Sequence, residues 1–383
     1  MVAKREICIT EDPYAYDEAV VNDYDIAAGF VTASDWIAYP GGTGYAHTAA
    51  FKTLRVNQHD DAVSRDTIRE ESTDQVSVAS LFGGTISPKG SFSGAFRGYD
   101  FHTTGLLRGI MGYQTPATVA SPATGFAAGY RYELTMVPAT LAIKIVDEAA
   151  KLTSGAKGST TVYRGVGISS FELKLAAKQY ATSTIQWLSR KPEVYDEAVN
   201  SNTEPTGDPA LFYNAVLKWT PEGGSATPFK CIDFSMSINR PIDTDDYSIG
   251  SQFLANLSYN GLTELGGDIT LSGTDWDKIR AMYAGSNSDL INTLDQGKRE
   301  YFGSVTNTTT SNVLANAIPA GKLEILLHSP DGTRVISRIT CDQAKLTEAS
   351  RSAQGIQRWN KTVKWMAITN NTSKFYVDVW NPV

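Results

Sequence analysis

Only three cysteines occur in 383 residues, Cys8, Cys231 and Cys341, and they lie far apart without the spacing of a metal site. They cannot all pair within one chain, which argues against a disulfide framework and predicts buried, reduced thiols in a cytosolic setting. The four histidines, His47, His59, His102 and His328, stand alone, with no HExxH pattern. No apolar run approaches the ~20 residues that a membrane-spanning helix needs. The opening MVAKREICITEDPYAYDEA lacks the apolar core of a signal peptide, so the chain is expected neither to be exported by that route nor to be embedded. Positive charge is in deficit too, with 34 Lys and Arg against 41 Asp and Glu and a net charge of -7. A nucleic-acid clamp normally carries a basic stripe, and none is present. What remains, 42% hydrophobic and 20% charged residues, is the composition of a folded soluble protein long enough for two domains, each with its own core.

Catalytic constellations are missing as well. Gly90-Ser91-Phe92-Ser93-Gly94 has the outline of a nucleophile elbow, but phenylalanine stands where the serine must be, and the stretch reads as a strand. Gly41-Gly42-Thr43-Gly44 lacks the Lys-Ser/Thr ending of a phosphate loop and reads as a turn. Asp243, Asp245 and Asp246 are spaced like the start of a calcium loop whose glycine and late glutamate are absent; a solvated acidic loop is the better reading. Asn256-Leu257-Ser258 and Asn371-Thr372-Ser373 are glycosylation sequons without a secretory signal to give them meaning. Trp187 and Trp365 alternate with apolar neighbours and are assigned to the core rather than to sugar stacking. No enzyme activity and no cofactor are expected.

The chain does carry alternation, and it carries it twice. Cys231 to Asn239 places Ile232, Phe234, Met236 and Ile238 on one face and Asp233, Ser235, Ser237 and Asn239 on the other, a strand with one dry and one wet side. Gly267 to Ser272 alternates again, with Asp268 and Thr270 on its polar side. Gly273-Thr274-Asp275 then leads into a helix over Trp276 to Tyr283. The same grammar occurs earlier. Gly90 to Phe96 answers GDITLSG, and Phe101 to Gly112 (FHTTGLLRGIMG) answers WDKIRAMYAG. A strand pair broken at Pro138 within Tyr132 to Val146 follows, then Gly167 to Leu175, with Ser170 and Glu172 on its polar side, then Ser183 to Leu188. The later copy continues with Lys322 to Leu327, Arg334 to Thr340 and Thr362 to Ala367, and Lys374 to Trp380 is a terminal strand. Order of elements, rather than identity, predicts a duplicated β-rich unit.

The expected divisions are 1–62, an extension or arm with a short strand at Ile7 to Thr10 and an acidic, aromatic stretch from Asp17 to Tyr24; 63–191, the first unit, opening on an exposed strand and loop; 192–228, a linker; and 229–383, the second unit. The linker is dense in proline and glycine and holds one more strand, Leu211 to Thr220, suited to pairing with an exposed sheet edge.

The order FSMSINRPID, YSIG, GDITLSGTDWDKI, preceded by LLRGIMG and GVGISSFELKL, resembles the major tail tube proteins of long-tailed, non-contractile bacteriophages over residues 63 to 383. The resemblance implies a mainly β fold, a duplicated β-sandwich with a flanking helix, whose subunits form stacked rings with inner sheets joined into a barrel that conducts DNA into the host. It implies self-association and contact with tape measure, tail tip and tail terminator proteins; the duplication adds the expectation of three chains per ring imitating six-fold symmetry, with six chains as the alternative. Assembly in the host cytoplasm, a place in the virion tail, and passage of viral DNA without sequence-specific binding or a membrane partner are implied likewise. Under it Asp233, Ser235, Ser237, Asn239, Asp268, Thr270, Ser170 and Glu172 are candidate lumen-facing residues, with Lys174 on the same face. A carbohydrate-binding or adhesin sandwich, and a hydrolase with paired carboxylates on a β scaffold, are the readings outside this family.

Overall fold

The computed structural model describes residues 5–11, 52–70, 80–120, 122, 128–137, 139–147, 159–195, 206–221, 225–229, 231–247, 252–254, 257–272, 304–308, 311–315, 320–352, 360–370 and 372–381. Strands dominate because period-two alternation dominates the sequence. In chain order they are β1 (Arg5–Glu11), β2 (Lys52–Leu54), β3 (Gln58–Glu70) and β4 (Ser80–Ala95), followed by helices α1 (Gly98–Thr103) and α2 (Leu106–Met111). Then come β5 (Ala117–Val119), β6 (Gly129–Glu133), β7 (Leu141–Asp147), β8 (Ser159–Ala176) and β9 (Thr182–Tyr195). The later elements are β10 (Val216–Pro221), β11 (Thr227–Phe229), β12 (Cys231–Asn239), β13 (Glu264–Ser272), β14 (Ser304–Thr308), β15 (Ser311–Ala315), β16 (Ala320–His328), β17 (Val335–Ser352), β18 (Asn360–Ala367) and β19 (Phe375–Val379).

One antiparallel run, β3-β4-β9-β8-β12-β13-β18-β17, organises the rest. The 18-residue strands β8 and β17 serve two layers. Their carboxy-terminal halves belong to this run, while their amino-terminal halves pair with β7 and β16. From β7 the second layer continues through β1 to β2, and from β16 through β10 to β11. On β17 lies β19, which carries β6 and β5.

The two halves repeat in register. Gly90 faces Trp187 across β4 and β9, as Gly267 faces Trp365 across β13 and β18. Ala95 opposite Thr182 corresponds to Ser272 opposite Asn360, Ile143 opposite Tyr163 to Leu323 opposite Cys341, and Ile7 opposite Leu54 to Leu217 opposite Phe229. Even the irregularities match: the β8 register slips between Ile168 and Ser170, and the β17 register between Leu346 and Glu348, each just past the residue opposite the tryptophan. A bulge bends its strand, and here each lies where the strand passes from one layer to the other.

The pairing crosses the divisions expected from composition. β3 runs through 62/63 and β9 through 191/192, while β1 and β2 hold in the first half the places of β10 and β11 in the second. The strand expected over Leu211 to Thr220 starts later: Leu211 makes an isolated bridge with Tyr180, Phe212–Asn214 is a 3-10 turn, and the strand is Val216–Pro221, between β16 and β11. The helix expected over Trp276 to Tyr283, the turns at Gly41 to Gly44 and Gly273 to Asp275, the break at Pro138 and the stretch Asp17 to Tyr24 lie outside the described residues.

A single apolar cluster fills the space between layers, from Ile7, Ile143 and Leu217 on one side to Phe171, Phe234, Met236 and Ile269 on the other. Each such side chain contributes about 1.5–3 kcal/mol by leaving water. α1 and α2 cover part of this core with Phe101, Leu106, Leu107, Ile110 and Met111. The sharp turn between them needs Gly105, whose φ of 77° is left-handed. Among the described residues no helix is long and apolar enough to cross a membrane.

His102 on α1 stacks on Tyr130 with ring centroids 3.9 Å apart and meets the Tyr132 hydroxyl 2.5 Å from Nδ1. Burial, and then the nearby positive charges of Lys52 and Arg108, lower its pKa to about 4. In the unfolded chain an imidazole titrates near 6.5, so between roughly pH 6.5 and 4 the unfolded state binds the extra proton. Stability from this site is therefore complete above the unfolded value and lost as pH falls through the window. A thermal-melt series over that range should show a declining Tm that flattens in His102→Gln; identical slopes would refute the assignment.

Candidate functional site

The eight candidate residues come together on one face of one sheet. In β12, Asp233 and Asn239 are exposed and Ser235 and Ser237 are half-buried, while Phe234, Met236 and Ile238 between them are buried. Register carries that alternation sideways. Across to β8, Ser237 faces Glu172 and Asn239 faces Ser170, with Ser235 opposite Lys174. Across to β13, Asp233 faces Thr270, and the Asp268 amide donates to Ser235 Oγ at 3.1 Å. Contacts along and across the strands knit this face: Lys174 Nζ lies 2.9 Å from Glu172, two residues away on the same strand, and the Thr270 and Thr362 hydroxyls of β13 and β18 are 3.1 Å apart.

Sequence reading missed the width of the face. Following the same register outward adds Thr182, Thr184 and Gln186 of β9, Ser91 and Ser93 of β4, Asp60 of β3, and Thr362 and Lys364 of β18. Alternation in GSFSGAF, STIQWL and TVKWMA was the available signal; only the pairing order shows that these polar sides are coplanar. The composition is small and hydroxyl-rich. Among the described side chains its exposed or half-exposed charges are Asp60, Glu172, Asp233, Glu264 and Asp268 against Lys89, Lys174 and Lys364, a modest negative excess. Behind it, Trp187 and Trp365 are 3% and 1% exposed, as core assignment expected. Gly90 makes room for the first indole: a Cβ there would stand 2.4 Å from the Trp187 ring.

One residue secures the central seam where the halves meet. Arg240, which follows β12 and is 2% exposed, donates its amide to Ser169 O at 2.8 Å. Its Nη2 donates to Met111 O at 3.0 Å and Thr135 O at 2.5 Å, tying the second half to the end of α2. Nothing in the sequence marked it.

Asp243 Oδ1 accepts the Asp245 amide at 3.0 Å, closing the acidic loop on itself. Among the described residues no group of three or more His, Cys, Asp and Glu is placed to hold a metal ion. Cys8 and Cys341 are buried and Cys231 half-buried, and none of the three is in a disulfide. Burial pushes Cys341 up to about 12 and Cys231 up to about 11, so both stay protonated at neutral pH.

Comparison with curated proteins gives no match. Comparison with protein families does: the model of the phage tail tube protein family matches residues 25–325, a span that takes in α1, α2, the central seam and most of the polar face. A mainly β, antiparallel framework with short helices and a sheet that is wet on one side and dry on the other is what such a wall subunit requires. The chain belongs to the phage tail tube protein family and is a structural component of the virion tail.

Proposed function

We propose that three copies of the chain close into a ring with pseudo-six-fold symmetry, and that stacked rings form the tube of a long, non-contractile tail through which the genome passes into the host. The register-matched repeat is the observation that carries this reading. One half runs from β1 to β9 and the other from β10 to β19, and each supplies four strands of the central run. Three chains thus present six equivalent wall segments. Rings of this kind need head-to-tail contacts that rotate back on themselves. Half of those contacts are already made inside each chain by β12 on β8.

In this arrangement the polar face lines the lumen. A wall rich in hydroxyls, with carboxylates outnumbering Lys89, Lys174 and Lys364, offers phosphates no net counter-charge, so DNA slides without being held. Asp233, Ser235, Ser237, Asn239, Asp268, Thr270, Ser170 and Glu172 take that lining role. Its partners in the tail are the tape measure, tail tip and tail terminator proteins, and assembly takes place in the host cytoplasm. The sugar-stacking alternative draws no support from geometry, since the described tryptophans, Trp187, Trp219, Trp365 and Trp380, are all buried.

The test is the symmetry of a reconstructed tube. Three chains per ring with the face of β12 inward is expected. Six chains per ring, or that face on the tube exterior, overturns the proposal.

A further inference from the structure

We propose that β3 of one chain docks on the carboxy-terminal half of β17 in the next chain, in the register that β12 and β8 use inside the chain. The inference rests on the ring reading above and specifies the contact that closes it. The central run has two ends. At one, β3 pairs only with β4; at the other, β17 beyond Leu346 pairs only with β18, among the described residues. An unpaired edge seeks a strand, and the chain itself shows which strand these two positions take.

The correspondence is fixed by the repeat. Ser237 facing Gly266 matches Ala62 facing Lys89, and Asn239 facing Glu264 matches Ser64 facing Ser87, so β3 stands where β12 stands. Ser170 facing Gln186 matches Glu348 facing Lys364, so β17 stands where β8 stands. Copying the β12 and β8 register then puts Asp60 opposite Ser352, Ala62 opposite Ser350, Val63 opposite Ala349 and Ser64 opposite Glu348. It puts Asp61 opposite Arg351, two unlike charges at facing positions.

Two further observations agree with this. First, the residues that end β12, Ile238-Asn239-Arg240, recur at the same framework positions as Val63-Ser64-Arg65. Inside the chain Ile238 is 2% exposed and Arg240 is the buried fastener; Val63 is 50% exposed, and Arg65 is exposed with only Gln252 Oε1, at 2.7 Å, as its hydrogen-bond partner among the described residues. The between-chain edge thus carries the same closing device in an unused state. Second, positions held by Phe234 and Met236 in β12 are held by His59 and Asp61 in β3, with His59 Nε2 3.6 Å from Asp61 and the Tyr163 hydroxyl donating to Asp61 at 2.5 Å. Inward-pointing polar groups are a means of keeping a free edge from sticking at random. The edge is thereby selective for a partner that supplies the matching register.

A cysteine pair tests the register in the assembled protein. Since the Arg240 amide donates across the seam to Ser169, Ser237 and Glu172, three positions on, lie between ladder bonds. There Cα atoms approach to about 4.5 Å, within disulfide range. Their counterparts are Ala62 and Ser350. Tubes of the full chain carrying Ala62→Cys and Ser350→Cys should, on oxidation, give disulfide-linked dimers and trimers on a non-reducing gel. Ala62→Cys with Ser352→Cys, two positions out of register, should give at least tenfold less. Tubes that form but cross-link only in the shifted pair, or in neither, overturn the docking while leaving the tube reading intact. Absence of rings and tubes in the unsubstituted protein overturns both. As a second arm, Arg65→Ala should melt like the parent monomer yet assemble at least tenfold less; unimpaired assembly overturns the role given to Arg65.

Discussion

Asp378→Asn should destabilise the folded chain by about 3–5 kcal/mol, the cost of removing one partner from a buried ion pair. Asp378, in β19, is fully buried and receives two guanidinium groups. Arg131 of β6 donates Nε to Oδ1 at 2.7 Å and Nη2 to Oδ2 at 2.9 Å, a bidentate pair. Arg338 of β17 donates Nε to Oδ2 at 2.9 Å, and its Nη2 reaches the same oxygen. Asparagine preserves the shape but leaves two cations facing a neutral amide in a site largely closed to water. Donating to Asp378 raises the pKa of Arg131 in the parent, and an arginine side chain keeps its proton even without such a partner, so the variant cannot relieve the site by deprotonation. Because β19 joins β17 of the second half to β6 of the first, the loss also loosens the second tie between the halves. Thermal melts should show a large drop in Tm for Asp378→Asn and a smaller one for Arg131→Met with Arg338→Met and Asp378→Leu together, where no charge is stranded. A Tm for Asp378→Asn close to that of the parent would sink this account.

Much of this framework is legible in the sequence because one face of nearly every central strand is dry. Cys231 to Asn239 has the bounds of β12, and Gly267 to Ser272 falls within β13, since alternation there is uninterrupted. The extents of β8 and β17 are less legible. Their added residues, STTVYRG in β8 and CDQAKLTEASRS in β17, are rich in Thr, Ser and charge, and become strand by pairing on long partners rather than by their own pattern. Arg240 and Asp378 were invisible for a related reason: each is a lone charge in sequence with a partner over a hundred residues away, at Met111 and at Arg131. The repeat itself was visible in element order, and the register shows it to be far closer than the residue identities are, because hydrogen-bonded pairing constrains the backbone and leaves side chains free to diverge.

That freedom is what the polar face exploits, and its charge is the property whose change should be felt most. Asp233→Lys with Asn239→Lys adds three positive charges per chain, repeated in every ring. Both side chains are exposed, so the cost to folding is expected to stay within roughly 0.5 kcal/mol. Ser235 is a poorer choice, because its hydroxyl accepts the Asp268 amide and so supports the β12 and β13 pairing. If the face lines the lumen, each lysine meets a phosphate and releases counterions, an interaction that weakens steeply with salt. DNA ejection from particles built with the double variant should therefore slow by an order of magnitude or more at low ionic strength and recover as salt is raised. Tail length and Tm should match the parent, which separates a lumen effect from an assembly defect. Unchanged ejection kinetics at low salt, in particles whose tubes contain the variant, would show that this face does not meet the DNA, even with the fold and the family as described.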